Sequence, residues 1–148
     1  MQVMSARFHS TIIMHSRGTP QTMTELAHYS DVTQSVKAWL KIQASLARSP
    51  EVILDPGIGF AKSAKQSLVL LREIAQLKEL GCPILIGASR KSFIGHTLNQ
   101  PNPNERLSGS LASVAAAFSK GANIFRVHDV RETRDVVDLL WAIENTFV

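Results

Sequence analysis

The chain has 148 residues, of which 45% are hydrophobic and 19% are charged, and its formal net charge is +4. This composition is typical of a single globular domain with a substantial hydrophobic core. The mild positive charge permits an anionic ligand, but the cations form no dense run, which argues against a nucleic-acid-binding surface. A single cysteine, Cys82, excludes an internal disulfide and a multi-cysteine metal site.

No apolar run approaches the roughly 18–20 residues that a membrane-spanning helix needs. Residues 1–10 also lack the apolar core of a secretory signal. We therefore expect a soluble intracellular protein with no membrane partner and no nucleic-acid partner.

In chain order, four short apolar runs predict β-strands, and each is followed by apolar residues at helical spacing. Residues 1–10 have the pattern of the end of a helix. Asp31 and Gln34 form a plausible N-cap pair for the first complete helix, and Gly81 and Gly121 follow the ends of two later helices. The predicted strands cover residues 11–15, 52–54, 84–87 and 124–128.

This order is a βα unit repeated four times, which predicts an α/β fold with parallel strands. The connections are long enough for right-handed crossovers. Four such units fit either a small open sheet or half of an eight-stranded barrel, and the pattern alone does not separate these two possibilities.

Polar side chains follow three of the strands. In parallel α/β folds, ligand sites lie at the carboxyl ends of the strands. Asp55 ends the second strand directly before a proline. A carboxylate there needs hydrogen-bond donors. It could cap the next turn, accept N–H groups from a planar heterocycle, or bind a metal ion.

The third strand ends in Gly87, followed by Ala88 and the run SRKS at residues 89–92. The simpler interpretation is a solvated helix start with hydroxyl caps. Two adjacent cations, Arg90 and Lys91, nevertheless oppose the helix dipole, which favours an anionic or carbonyl-bearing ligand. After the fourth strand, Arg126 and His128 share one face because side chains alternate along a strand. Both types of side chain suit a diphosphate, and Arg also stacks on flat rings.

Five motifs, in order and at fitting spacing, resemble the C-terminal half of dihydropteroate synthase. They are MHSRGTPQTM at residues 14–23, LDPGIGF at 54–60, GASRKSFIG at 87–95, ERLSGS at 105–110 and RVHDVRET at 126–133. The resemblance implies a TIM (β/α)8 barrel, of which this chain would hold strands five to eight. Residues 1–148 would then be a partial pterin-binding domain without its N-terminal half.

The resemblance also implies a transferase of folate biosynthesis. That family condenses 6-hydroxymethyl-7,8-dihydropterin diphosphate with 4-aminobenzoate, giving dihydropteroate and diphosphate, and is inhibited by sulfonamides. By resemblance, Asp55 accepts the pterin N–H groups, Lys91 donates to the pterin carbonyl, and Arg126 with His128 holds the diphosphate. Lys91, Arg126 and His128 are thus the expected catalytic residues. The expected aminobenzoate pocket is lined by Phe60, Lys91 and Ser92.

Two departures from the family accompany the resemblance. Ala61 stands where the family usually has glycine, which would cost about 1 kcal/mol if the position needs a positive φ. The family's N-terminal half, which would carry the Mg²⁺ contacts, is not part of this sequence, so no metal ligand is expected in this half. We expect the chain to be inactive alone. The family further implies a homodimer through the C-terminal helices and a cytoplasmic location, or an organellar one in a eukaryote.

Three alternatives remain at the level of sequence. The first is a methyltetrahydrofolate-dependent methyltransferase module, which shares the pterin-recognition motif. The second is a truncated, non-catalytic remnant that only docks to a partner. The third and weakest is a basic nucleic-acid binder, for which salt-dependent DNA binding would be the sign.

Overall fold

The computed structural model describes residues 8–146, so most of the helix end predicted over residues 1–10 lies outside the described residues. Within that range the elements follow the predicted alternation. In chain order they are β1 (Ser10–Met14), α1 (Val32–Leu46), β2 (Glu51–Asp55), α2 (Ala64–Arg72), α3 (Ile74–Lys78), β3 (Leu85–Ile86), α4 (Ser92–Leu98), a 3-10 turn (Pro103–Glu105), α5 (Leu107–Phe118), β4 (Ile124–Phe125) and α6 (Val130–Asn145).

The four strands are parallel and lie side by side in chain order. β1 pairs with β2, and β3 pairs with β4. A single parallel bridge between Leu54 and Ile84 joins the two pairs. The predicted α/β fold with parallel strands is therefore confirmed.

β3 and β4 are shorter than predicted. The sequence predicted strands over residues 84–87 and 124–128, but each ladder strand has two residues. The last bond between them runs from the Arg126 N–H to the Ile86 carbonyl at 3.0 Å. Beyond that point the backbone leaves the ladder to form the loops that carry the candidate site.

Local capping explains where the helices begin. The Asp31 side chain accepts a hydrogen bond from the Gln34 N–H at 2.9 Å, which confirms the predicted cap. Ser63 and Gln66 form a reciprocal capping box at the start of α2. The single helix predicted before Gly81 is divided at Glu73, whose φ of −109° leaves the helical region, so two helices, α2 and α3, take its place.

The core lies between the sheet and the helices, where Leu40, Leu54, Leu70 and Ile84 are fully buried. Side chains on the opposite face of β1 are open: Ile12 is 55% exposed. Within the described residues, no helix is both long and apolar enough to cross a bilayer.

Candidate functional site

Strand register brings two of the predicted site residues, Asp55 and Arg126, to one face of the sheet. Met14 is the partner of Asp55, and Ile86 is the partner of Phe125. Partners in a parallel ladder point to the same side, and side chains alternate along each strand. Counting through the Leu54–Ile84 bridge therefore places Asp55 and Arg126 on the same, open face as Ile12.

Asp55 is buried, with 8% of its surface exposed. One carboxylate oxygen accepts the Gly57 N–H at 2.7 Å, so the predicted turn-capping role is present. Burial raises the pKa of Asp55, and the Gly57 N–H and the nearby cations Lys91, Lys62 and Arg126 oppose that rise. The capping role and a ligand-binding role are compatible, because a carboxylate has two oxygens.

The loop after Asp55 presses against the end of β1. Gly57 has a φ of +68°, and a Cβ added there would lie 1.9 Å from the His15 carbonyl oxygen. Glycine is therefore required at this position both by conformation and by space. Ala61 is buried with a φ of +50°, so this position does need the left-handed region, and alanine costs about 1 kcal/mol there.

Lys62 is a component of the site that sequence reasoning missed. Lys62 is only 8% exposed. Its ammonium donates to the Phe60 carbonyl at 2.9 Å and to Nδ1 of His15 at 3.0 Å. Burial lowers the pKa of Lys62 to about 7, while Asp55 opposes that shift. No local pattern could have shown this, because the contact joins residues 47 positions apart.

His15 is the buried partner of Lys62 at the end of β1. Its ring packs edge-on against Trp39, with centroids 5.1 Å apart. Burial, followed by the charges of Lys62 and Arg17, lowers the pKa of His15 to about 4. His15 is therefore neutral at physiological pH, and its Nδ1 lies 3.0 Å from Nζ of Lys62.

Lys91 lies on the other side of the same loop. Its ammonium donates to the Ile58 carbonyl and lies 4.3 Å from the centroid of the Phe60 ring, a cation–π contact. Burial lowers the pKa of Lys91 to about 8; Asp55 opposes that shift and Arg126 adds to it. The structure thus brings Lys91, Phe60 and Asp55 together.

The side chains of Arg90 and Lys91 point to different partners. The sequence suggested that both cations serve one ligand, but the Arg90 guanidinium pairs with Asp129 at 2.5 Å. Asp129 is the N-cap residue of α6, but its side chain makes no capping hydrogen bond there. Arg134 pairs instead with Asp138, one helical turn further along α6.

The remaining predicted residues lie around this cluster. Arg126 and His128 are exposed. Nδ1 of His128 lies 3.0 Å from the Ser89 hydroxyl. Ser92 is exposed and lines a separate cavity of about 260 Å³ with His96 and Arg106.

The side chains present do not fit a magnesium site. Among residues 8–146, no three His, Cys, Asp or Glu side chains lie together in a way that could hold a metal ion. Mg²⁺ requires oxygen ligands. Asp55 lies beside three cations, and Asp129 is occupied by Arg90.

Comparisons with known proteins give a consistent family. A family profile described as pterin binding enzyme matches residues 1–128. Dihydropteroate synthase of Synechocystis sp. is 49% identical over 138 residues, which covers 88% of this chain and 48% of that protein. Dihydropteroate synthase of Escherichia coli is 41% identical over 136 residues, with the same two coverages.

Solved structures agree with these relatives. Dihydropteroate synthase from Thermus thermophilus in complex with 4-aminobenzoate superposes with a TM-score of 0.89 at 38% identity, covering 95% of this chain and 60% of that chain. The same enzyme in complex with 6HMPPP gives the same score and identity. This chain spans about half the length of the curated relatives that it matches. It belongs to the family of pterin binding enzymes, and the relatives that it matches in that family are dihydropteroate synthases.

Proposed function

We propose that this chain supplies one wall of a dihydropteroate synthase site, which condenses 6-hydroxymethyl-7,8-dihydropterin diphosphate with 4-aminobenzoate. The observation that carries the proposal is that Asp55 and Arg126 lie on one face of the strand ends, with Lys91 within electrostatic reach of both. The named relatives and the structures in complex with 4-aminobenzoate and 6HMPPP support it.

Asp55 and Lys91 are the proposed pterin-binding pair. A buried carboxylate whose pKa is raised by burial gains from paired N–H donors, which a pterin edge supplies. Lys91 lies within electrostatic reach of Asp55 and bonds a carbonyl in this structure. Its ammonium would exchange that carbonyl for the pterin carbonyl. The two groups together recognise a donor and an acceptor on one flat ring.

Arg126 and His128 are the proposed diphosphate-binding pair. Both are exposed and lie directly after β4. A guanidinium and an imidazole donate to phosphate oxygens, and charge on the leaving diphosphate grows as its bond breaks. Donors fixed in advance at that position stabilise the transition state. Arg126 would also stack on the pterin ring.

The aminobenzoate pocket is proposed beside this pair. Phe60 offers a ring surface that Lys91 already contacts from one side. Ser92 lies at the first position of α4, directly after Lys91. The Mg²⁺ expected for the family is assigned to substrate diphosphate oxygens and to ligands outside these 148 residues.

We also propose that the four βα units are strands five to eight of a TIM barrel, so residues 1–148 form a partial domain. Within the described residues, β1 and β4 each pair with one neighbouring strand only, and Ile12 on the open face is apolar and exposed. Open strand edges and exposed apolar residues are what a closed barrel would cover. Such a half would bind the pterin diphosphate weakly and would not turn over alone.

A diphosphate-release assay tests this proposal. The purified chain is measured alone and after co-expression with the N-terminal half of the Synechocystis relative. We expect activity only in the combined sample. Synthase-level rates from the chain alone would refute the partial-site proposal. Absence of pterin affinity in both samples would indicate a non-catalytic remnant instead.

Variants in the active combined sample test the separate roles. Asp55→Ala should mainly weaken pterin binding, and Arg126→Ala or His128→Ala should mainly impair diphosphate handling. Lys65→Ala, an exposed lysine on α2, is the control. If Lys91→Ala retains near-normal activity, the assignment of the pterin contact fails.

The predicted homodimer also stays a proposal. α6 exposes Leu139, Trp141 and Ile143, each by more than 60%. Exposed apolar residues on one terminal helix favour a protein contact. Ile143→Glu should convert a dimer to a monomer in light scattering, whereas Glu144→Gln should not.

We also propose a cytoplasmic location for the protein. The synthase relatives favour this enzyme over the methyltransferase alternative.

A further inference from the structure

We propose that Arg90 and Asp129 are a positioning pair that fixes the Lys91 side of the site relative to the His128 side. Neither residue is assigned a contact with substrate. The inference rests on the function proposed above, because its purpose is to hold the pterin-binding and diphosphate-binding groups at one spacing.

Two bonds join the Arg90 guanidinium to the Asp129 carboxylate. Nε donates to Oδ2 at 3.1 Å and Nη2 donates to Oδ1 at 2.5 Å. This bidentate geometry fixes the relative orientation of the two side chains as well as their distance. Both side chains are partly buried, in contrast to the exposed Arg134–Asp138 pair within α6.

A second contact lies directly beside the first. The His128 N–H donates to the Ser89 hydroxyl at 3.2 Å, and that hydroxyl lies 3.0 Å from Nδ1 of His128. Two consecutive residues after β3 therefore hold two consecutive residues after β4. These contacts lie just beyond the end of the β3–β4 ladder, so they hold the two loops together after the two strands separate.

The backbone conformation of Arg90 explains why its side chain points away from that of Lys91. Arg90 has a φ of +57°, which a non-glycine residue adopts only where the surroundings stabilise it. Its N–H donates to the Ser110 hydroxyl at 2.9 Å, and its carbonyl accepts from Arg106 at 3.0 Å. This left-handed turn sends Arg90 to Asp129 and leaves Lys91 to contact Ile58.

The Arg90–Asp129 pair therefore lies where it can set the distance between Lys91 and His128. Lys91 follows Arg90, and His128 precedes Asp129. A shift of either loop would change the distance between the groups assigned to the pterin and to the diphosphate. Small displacements of binding groups strongly weaken catalysis.

The test compares Arg90→Gln with Arg134→Gln, a matched change in the exposed ion pair of α6. The first readout is hydrogen exchange at the His128 amide, measured by NMR, with the melting temperature as a check on global stability. The second is the affinity for inorganic diphosphate. We expect at least tenfold faster exchange and at least fivefold weaker binding for Arg90→Gln, with no change in Arg134→Gln.

The reversed pair, Arg90→Asp with Asp129→Arg, should recover a large part of both losses. Equal exchange and equal affinity in Arg90→Gln and Arg134→Gln would overturn the proposal. If Arg90→Asp and Asp129→Arg each lose both properties alone and the reversed pair recovers neither, that result would also overturn the proposal. Failure of the unaltered chain to bind diphosphate would count against the proposed function, while the His128 exchange would still decide the positioning role.

Discussion

The loop after β2 and the loop after β4 carry the same kind of polar groups in opposite surroundings. After β2, Asp55 and Lys62 are buried and bonded to neighbours within the chain. After β4, Arg126 and His128 are exposed at the strand end. The first loop buries its charged side chains among internal contacts, whereas the side chains of Arg126 and His128 in the second stay accessible to a ligand although His128 also contacts Ser89.

This difference separates stability from binding. Changes in the β2 loop disturb buried groups and should alter the free energy of unfolding, in addition to the pterin affinity assigned to Asp55. Changes in the β4 side chains should alter ligand affinity while leaving folding almost unaffected. Four predictions test the contrast, beginning with the largest expected effect.

Gly57→Ala should lower the free energy of unfolding by about 4 kcal/mol, because it combines a positive φ with a backbone clash. The added Cβ would lie 1.9 Å from the His15 carbonyl oxygen. Gly81→Ala is the control, since its φ is +72° but no atom lies within 4 Å of the added Cβ. Urea denaturation should show a loss of only about 1 kcal/mol there. Equal losses in the two variants would contradict the close packing of the β2 loop.

Lys62 should make stability rise with pH in the alkaline range. The pKa of Lys62 is about 7 in the folded chain and 10.5 in the unfolded chain, so between these values the unfolded state binds more protons. The free energy of unfolding therefore increases from pH 7 upward, by roughly 3 kcal/mol for this group by pH 10. Lys91 adds a similar rise above pH 8.

Lys62→Met should remove the part of this rise that begins at pH 7, measured by urea denaturation at several pH values. Lys65→Met, at an exposed position, should leave the rise intact. A Lys62→Met curve parallel to that of the unaltered chain would show that Lys62 is not a buried cation.

His15 should contribute a second pH dependence on the acidic side. The pKa of His15 is about 4 when folded and 6.5 when unfolded, so its contribution is complete above pH 6.5 and is lost as pH falls towards 4. The expected loss is roughly 3 kcal/mol. His15→Gln should remove it in acid-titrated denaturation curves, whereas His96→Gln, at an exposed helix position, should not.

Arg126→Gln should have the smallest effect on folding, a change below about 0.5 kcal/mol, because the side chain is exposed. Its affinity for inorganic diphosphate should nevertheless fall at least tenfold in a calorimetric titration. Arg131→Gln, on the exposed surface of α6, controls for the lost charge. A clear loss of stability in Arg126→Gln would remove the contrast between the two loops.

Local patterns predicted the architecture well. Helical spacing and the Asp31 cap identified α1, and apolar runs identified four parallel strands, because hydrophobic period and capping are local properties. The short ladders of β3 and β4 and the break at Glu73 were missed. Element ends depend on tertiary bonds, such as the one that closes the ladder at Arg126.

The site shows the same division. The sequence by itself determined which polar residues follow the strands, including Asp55, Lys91 and Arg126, and the motifs that indicated the family. Only the tertiary structure decided that Lys62 is buried against His15 and that Arg90 turns away to Asp129. These contacts join residues 47 and 39 positions apart, and no local spacing encodes them. Burial and pairing arise when distant loops meet, and they set the charge and direction of each side chain.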